Sequence, residues 1–585
     1  MKRYYVGLGN TCHDPAVAIV SPDGEVLHAE GLERPLQVKR AWGLAPDDLH
    51  FVPALVERSC RPRDELVVAS SWSRQVLGLT WLYALAGKLR AAAYRRPAAG
   101  RMAPFFTEQY KLHWMLGEQF ASIGRTGSNL VMRLRERFND TRVDLRRCPH
   151  HLVHATYAAW TSPFDEAAVF IVDGFGEFGA FSSFHWRDGQ LKPVVRGMGP
   201  GSLGYFYVRL TELCGFDPHK GEEWKVMGLA PYGEVDPELH ALLRSTLIVD
   251  GGRVKFASAK KLARVDQALR PYARKPDTSP ITVATLARTG QQVFEEVMTE
   301  LLVDLHRRVP SANLIVSGGC ALNSAYNGKI IGQTPFERLY VPSAPGDDGN
   351  AVGAALYAWR QDHPEAKPPG GQFSPYLGST ISDAAIAQMV RFSGLAVRHL
   401  PGTVHEEAAR LLCEGKLLGW AQGRAEFGPR ALGNRSILAD PRSADMQEII
   451  NARVKFRESF RPFAPSILLE HGPDWFEDFQ PSPYMERTLR WRAEMRDKVP
   501  AVVHVDGTGR LQTVTADANP RYHALLSAFH GRTGVPVLLN TSFNVMGKPI
   551  MHGVEDAIAV FCTSGLDALV LGDTLIEKPD GWLRE

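Results

Sequence analysis

Two histidines four positions apart, in His150-His-Leu-Val-His154, carry the strongest local signal in the chain. On a helix such positions stand one above the other, about 6 Å apart, so both imidazoles can reach one cation. Neutral imidazole is the commonest side-chain metal ligand. No glutamate follows the first histidine, so the HExxH pattern of metalloproteases is excluded. Acidic partners are on offer in Asp173 of VDGFGE and in Asp347 or Asp348 of PGDDGNAVGAAL. Each lies in a Gly-bounded turn after an apolar strand, where carboxylates converge at the strand ends of an α/β sheet. Two histidines with carboxylate oxygens suit zinc, iron(II) or manganese, and spacing does not choose among them.

A second chemistry is written in cations. The run from Gln422 to Ser436, QGRAEFGPRALGNRS, sets three arginines among glycines, and Arg453, Lys455, Arg457 and Arg461 follow within RVKFRESFRPFAPS. Guanidinium forks match phosphate oxygens, and charge-assisted hydrogen bonds contribute about 1.5–3 kcal/mol each, so four or five could hold a triphosphate or an acyl phosphate. Asn540-Thr-Ser-Phe-Asn544 adds short hydrogen-bonding side chains after the strand-like VPVLL. In IVSGGCALN (315–323) a strand runs into Gly318-Gly319 and then into an expected helix whose first amides suit a phosphate. The segment KGEEWKVMGLAPYG (220–233) reads as loop. His13, beside Asp14 in the turn NTCHD, has the neighbour a general base needs, and a capped turn histidine is the plainer alternative.

The elements that position these groups follow a repeat. Tyr4–Leu8, Ala16–Val20 and Glu25–Glu30 predict three strands joined by turns, and Ala167–Val172, Ala180–Trp186 and Gln190–Val195 repeat the pattern. Two β-meanders, each followed by helix-rich sequence, imply a duplicated α/β fold. Residues 45–145 between them read as a helical, Arg-rich insertion (RAAAYRRPAAGR, RLRERFND). The polar, proline-rich stretch RQDHPEAKPPGGQFSP (360–375) marks a linker at 366–375, leaving domains 1–365 and 376–585. The second should begin helical and end in short strands such as Val535–Leu539 and Ala568–Leu571.

Bulk properties agree with two soluble domains. The 585 residues exceed what one core supports. A formal charge of +3 argues neither for nucleic acid nor for a membrane surface. The longest apolar run, Val76–Gly87, is short of the ~20 residues a bilayer needs. MKRYYVGLGN lacks the apolar segment of a secretory signal, and seven cysteines without a CxxC pair point to a reducing cytoplasm.

Taken together the motifs resemble the O-carbamoyltransferases of nodulation-factor, aminoglycoside and cephamycin pathways. GLGNTCHDPAVAIV, HHLVHATYAAW, VDGFGEFGAF, SLGYFYVRLTELCGF, KVMGLAPYG, SGGCALN, PGDDGNAVGAAL, GRAEFGPRALGNRSILADPR, NARVKFRESFRPFAPS and LLNTSFNVMGKPI occur in family order. Cys320 departs from a small aliphatic residue of some members. The resemblance implies a duplicated ribonuclease-H-like N-terminal domain of the actin, Hsp70 and sugar-kinase type, and a YrdC-like α/β C-terminal domain. It implies that Arg430, Arg435, Lys455, Arg461, Asn540 and Ser542 bind carbamoyl phosphate and ATP with Mg2+, and that His150, His154, Asp173 and Asp347 bind one metal, Fe2+ or Zn2+. It assigns Lys225, Gly318, Gly319 and Asn323 to the nucleotide or carbamoyl-adenylate in the N-terminal domain, and His13 to deprotonation of the acceptor.

The chemistry is coherent. Carbamate is a poor electrophile, and joining it to AMP gives a mixed anhydride with a good leaving group. That anhydride hydrolyses readily, so making and using it within one chain excludes water. The expected acceptor is a small-molecule hydroxyl, with no nucleic acid and no membrane; a homodimer is open. A threonylcarbamoyl-type tRNA modifier is the alternative within enzymes, but the chain has no concentrated basic patch for tRNA. A sugar kinase or nucleotide-dependent chaperone accounts for neither HHLVH nor GPRALGNRS.

Overall fold

The computed structural model describes residues 2–11, 13–48, 51–61, 64–75, 123–124, 126–137, 142–199, 201–458 and 460–579. The apolar run Val76–Gly87, the stretch RAAAYRRPAAGR and thus much of the insertion expected at 45–145 lie outside the described residues.

The first meander forms as its apolar runs predict: β1 (Arg3–Gly9), β2 (Ala16–Val20) and β3 (Val26–Gly31) pair antiparallel. Then β4 (Glu65–Ser71) and β5 (Val143–Cys148) extend the sheet in parallel on the other side of β1. The second meander is β6 (Glu166–Gly176), β7 (Gly179–Arg187) and β8 (Gln190–Arg196). After a helical region that carries the hairpin β9 (Leu247–Asp250) and β10 (Arg253–Phe256), β11 (Asn313–Ser317) and β12 (Arg338–Tyr340) complete the second sheet, again in parallel. The orders β3-β2-β1-β4-β5 and β8-β7-β6-β11-β12 are the same topology twice, with the same strand directions. This is a duplicated ribonuclease-H-like fold.

The helices His150–Trp160 and Asn350–Asp362 pack against each other, the first on β6 and β11 and the second on β1, β2 and β4. Close approach is built in with glycine. A Cβ on Gly7 of β1 would fall 1.8 Å from the Ala351 carbonyl oxygen, and one on Gly353 would fall 2.2 Å from that of Val153. No larger residue fits at either crossing.

The chain divides into two compact units. The first comprises 1–32, 40–322 and 330–373; the second comprises 33–39, 323–329 and 374–585. The two short segments 33–39 and 323–329, placed by sequence within 1–365, thus belong by packing to the second unit. Arg34 Nη2 donates to the Gly428 carbonyl at 2.9 Å, and Asn327 Nδ2 to that of Glu486 at 2.9 Å.

The second unit opens with β13 (Tyr376–Thr380), ahead of the expected helix (Asp383–Phe392), and β13 pairs with β16 (Arg424–Glu426). Its main sheet has nine strands: β14 (Val397–His399), β15 (Leu418–Ala421), β17 (Arg435–Ala439), β18 (Ala464–Leu468), β19 (Arg487–Arg490), β20 (Thr508–Val514), β21 (Val537–Ser542), β22 (Ala568–Leu571) and β23 (Thr574–Glu577). The strand expected from Val535 starts at Val537, because Pro536 has no N–H for the ladder. Among the described residues no helix is long and apolar enough to cross a membrane.

Candidate functional site

Three segments of the first unit bring four donor groups to one point. His150 is the first residue of its helix and His154 stands one turn further on. Asp173 lies on β6 just past Val172, where regular pairing with β7 breaks until Gly176. Asp347 opens the short turn Asp347–Gly349 that leads into the Asn350 helix. All four are buried, and one ligand atom from each lies within 4.8 Å of the others. His150 Nε2 is 3.2 Å from Asp173 Oδ2 and 3.5 Å from Asp347 Oδ1; His154 Nε2 is 3.4 and 3.1 Å from the same two atoms. Metal bonds of about 2.0–2.1 Å in a tetrahedron give ligand–ligand edges of about 3.3 Å, which the four histidine–carboxylate separations match.

Electrostatics favour a cation there as well. Burial disfavours charge on His154, but the hydrogen bonds and charges of Asp173 and Asp347 outweigh it and push its pKa up to about 9. Against its own burial, Asp173 is held well below the usual carboxylate range by His150 and His154. Asp173 is steadied by the amides of Gly174 (2.8 Å) and Gly319 (3.2 Å), both on Oδ1, which leaves Oδ2 toward the histidines. Of the two aspartates left open by sequence, Asp347 joins the cluster, while Asp348 Oδ1 accepts from the Gly349 amide at 3.0 Å. His151 turns away to Ser182 Oγ (2.9 Å), and burial drives its pKa down to about 3. The donor set suits zinc, iron(II) or manganese.

In the same unit, His13 sits in the turn after β1 with 24% of its side chain exposed, enough for a small substrate to reach it. Its Nδ1 lies 2.8 Å from Asp14 Oδ2. With the Nδ1 proton on that carboxylate, Nε2 is the basic nitrogen.

The second unit holds a cluster of opposite character. Arg430 lies on the loop between β16 and β17; Lys455 ends a π-helical turn (Asn451–Lys455), and Phe456 at φ 48° redirects the chain toward Arg457 and Arg461. Arg510 projects from β20, within electrostatic reach of Arg430 and Arg457. Lys455 Nζ donates to the Ser542 carbonyl, to Ser542 Oγ (3.3 Å), and to Asn544 O (3.0 Å) and Oδ1 (2.8 Å). Burial, with the charges of Arg457 and Arg461, lowers Lys455 well below the usual lysine value. Burial lowers Arg430 to about 10 and, helped by Arg461, Arg457 to about 9. Among the described residues no carboxylate pairs with Arg430, Arg457 or Arg510, and Arg457 Nη2 and Arg510 Nε are buried without a hydrogen-bond partner. Buried positive charge without counter-charge is costly, and an anion with several oxygens removes that cost.

Residues 5–356 match the family described as Carbamoyltransferase N-terminus, and residues 409–578 that described as Carbamoyltransferase C-terminus. The chain belongs to the carbamoyltransferase family. It is 38% identical to the uncharacterized protein sll1178 of Synechocystis sp., over 73% of this chain and 75% of that one. It is 37% identical to nodulation protein NolO of Bradyrhizobium diazoefficiens (74% and 80%), and 30% identical to 3'-hydroxymethylcephem-O-carbamoyltransferase of Amycolatopsis lactamdurans (76% and 83%). Among solved structures, HypF of T. kodakarensis overlays 62% of the chain and 48% of its own length at 13% identity, with a TM-score of 0.33, too loose to add to the topology.

Not every residue expected at the sites of this carbamoyltransferase is free to act there. Arg435 is fully buried, with Nη1 on the carbonyls of Gln422 (2.6 Å) and Asn434 (2.8 Å), and Nη2 on those of Ser379 (2.8 Å) and Gly423 (3.0 Å). Its terminal nitrogens hold the loop together and leave no fork for a phosphate. Asn540 is buried too, its Nδ2 shared among Ala431 O, Ser466 Oγ and Gln512 Oε1. Arg461 faces Glu458 at 3.3 Å. In the first unit, Lys225 pairs with Glu222 at 2.8 Å and lies against Phe216. Gly318, at φ 94°, and Gly319 lead into a 3-10 turn (Gly319–Leu322) where sequence suggested a longer helix, and the Gly319 amide serves Asp173. Asn323 caps the one-turn helix Ser324–Asn327, in a segment of the second unit. Sequence reading missed Arg510, a lone arginine in GTGRLQTV with no local mark; its place on β20, between β18 and β19 in the sheet, brings it to the cluster.

Proposed function

We propose that this carbamoyltransferase makes carbamoyl-adenylate in its second unit, from carbamoyl phosphate and ATP with Mg2+, and transfers the carbamoyl group in its first unit to a hydroxyl of a small natural product or sugar. The observation that carries the reading is the partly buried cationic cluster of Arg430, Lys455, Arg457 and Arg510, whose arginines pair with no carboxylate among the described residues, an arrangement that favours a phosphate-rich ligand. Transfer to oxygen of a natural product is supported by the Amycolatopsis relative, a 3'-hydroxymethylcephem-O-carbamoyltransferase.

Hydrolysis of carbamoyl phosphate yields carbamate and inorganic phosphate. A carbamate oxygen then attacks the α-phosphorus of ATP, the α–β bridge breaks, and pyrophosphate leaves. Arg430, Arg457 and Arg510 hold the phosphates and offset the charge gathering on them, and Lys455 is positioned by Ser542 and Asn544 to do the same. In the first unit the acceptor oxygen attacks the carbamoyl carbon, its proton passes to His13 Nε2, and AMP departs with the electrons of the cleaved C–O bond. A metal on His150, His154, Asp173 and Asp347 would supply Lewis-acid polarisation there.

The test is pyrophosphate release from Mg-ATP that depends on carbamoyl phosphate, followed by a mass-spectrometric screen of alcohols for a carbamoyl gain. Pyrophosphate release indifferent to carbamoyl phosphate would overturn the activation step; release without a carbamoylated product from any hydroxyl would overturn the transfer step.

A further inference from the structure

His13 belongs to a closed circuit of side chains. Its Nδ1 bonds Asp14 Oδ2. Arg40 approaches the same carboxylate with Nη2 on Oδ2 (3.2 Å) and Nε near Oδ1 (3.4 Å), and its carbonyl accepts the Asp14 amide at 2.9 Å. The Arg40 guanidinium lies 5.2 Å from the centre of the Trp42 ring, and the Trp42 ring meets the His13 ring edge-on at 4.9 Å. Two further anchors fix the circuit. Trp42 Nε1 donates to the His219 carbonyl, and Arg40 Nη1 to that of Pro218 at 3.3 Å. Gly221 leaves the room this needs, since a Cβ there would fall 2.9 Å from Arg40 Cδ and Nη1. Asp14, Arg40 and Ala41 have φ of 52°, 59° and 41°, a left-handed backbone that non-glycine residues adopt only where surroundings impose it.

We propose that Arg40 is the positioning residue of the acceptor-activating base: it pins Asp14 against His13 Nδ1 and offsets the Asp14 charge, so that the imidazole is oriented by a carboxylate yet stays available to take a proton. The proposal rests on the reading of His13 as the base. An aspartate alone would orient the ring but would also favour its charged form, in which neither nitrogen can accept a proton. A cation on the far side of the aspartate separates these effects. Burial opposes ionisation of Asp14, yet Arg40 and His13 together hold its carboxyl well below the usual range, so the bridge is anionic throughout the working range. Among the described residues, the other ionisable groups facing the circuit include Glu223, whose carboxyl is raised by burial, and His219.

The experiment reads His13 directly, so it needs no acceptor. Diethyl pyrocarbonate attacks neutral imidazole, and peptide mass mapping gives the rate at His13 as a function of pH, with His185 as an internal reference in the same chain. Arg40→Gln removes the charge; the midpoint of His13 modification should move up by about one pH unit, a roughly tenfold slower reaction at a pH below both midpoints. Asp14→Asn should move it down, and Arg40→Lys, which keeps the cation, should leave it near wild type. An unmoved or lowered midpoint in Arg40→Gln, with unchanged melting temperature, overturns the proposal. Should Arg40→Gln not fold, an unmoved or raised midpoint in Asp14→Asn overturns it equally. Failure of His13 as the base would show elsewhere, as full transfer activity in His13→Asn with the modification midpoints still shifting as stated.

Discussion

Metal uptake by the first unit should displace a proton, and the number can be worked from the site. His154, pressed by Asp173 and Asp347, has a pKa near 9 when only protons compete for it. At pH 7 it lies two units below that value, so about 99 of 100 metal-free molecules carry the proton. A metal binds only the neutral imidazole, and each ion bound at pH 7 therefore releases close to one proton from His154. The sign follows: lower pH favours the proton over the metal, and apparent affinity falls about tenfold for each unit below 9. Between pH 8 and pH 6 the loss is about 100-fold. Titration calorimetry of metal-depleted protein with Zn2+, in two buffers of different ionisation enthalpy, reports the proton count directly. Affinity that stays flat from pH 6 to pH 8, with no proton released, would refute the account of the cluster. In Asp347→Asn one of the two carboxylates that raise His154 is gone, so affinity should drop and its pH slope should flatten.

Arg510→Ala should lower carbamoyl phosphate-dependent pyrophosphate release by about 10- to 100-fold, as should Arg430→Ala, because each removes a charge-assisted contact of about 1.5–3 kcal/mol; normal release in both would remove them from the site. Arg435→Ala should act on stability, with at least about 1–3 kcal/mol lost in denaturant unfolding as the carbonyls of Gln422, Asn434, Ser379 and Gly423 lose their donor; a fully stable but inactive variant would return Arg435 to the phosphate site. His13→Asn should reduce acceptor carbamoylation by about 10²–10⁴-fold while pyrophosphate release persists, and equal loss of both half-reactions would count against a division between the units. Pyrophosphate should protect amides near 430–461 from hydrogen exchange and leave those near 150–173 unchanged; protection confined to the first unit would invert the assignment.

The legible parts of this chain are those whose cause is local. Alternation and turn residues mark both meanders, and strand predictions fall within a residue of the bounds of β1–β3, β7 and β8, while β6 runs four residues past its apolar run to Gly176, through the stretch that carries Asp173. His150 and His154 were legible since a helical period puts them on one face. Arg430 and Lys455 stood out through their setting among glycines and prolines. Arg435 stood in the same setting and looked the same, but a ring of four carbonyls is a property of the folded loop, invisible in residue type. Arg510 and the Arg40 link to Asp14 depend on β20 meeting β18 and on a strained turn closing on another, and neither leaves a local pattern. Segments 33–39 and 323–329 show no shift in composition where they join the second unit, because membership there is decided by long-range packing.

The two sites leave opposite charges unmet, and that contrast bears on how one chain could run both half-reactions. In the first unit two carboxylates converge on two imidazoles, an arrangement that holds positive charge by a proton or a metal. In the second, Arg430, Lys455, Arg457 and Arg510 converge with no carboxylate paired to the three arginines among the described residues, an arrangement completed by phosphate oxygens. Each arrangement stores an electrostatic cost on folding that its proper ligand removes, so ligand binding and stability are linked in both units. The same asymmetry discriminates between reactants. A triphosphate is drawn to the cationic cluster, where pyrophosphate must leave. The carboxylate cluster would repel that polyanion unless a metal first neutralised it. A monophosphate ester such as an acyl-adenylate carries a single negative charge and meets far less repulsion there. Charge alone would thus sort the reactants between the units, triphosphate to one and adenylate to the other, before any shape recognition is invoked.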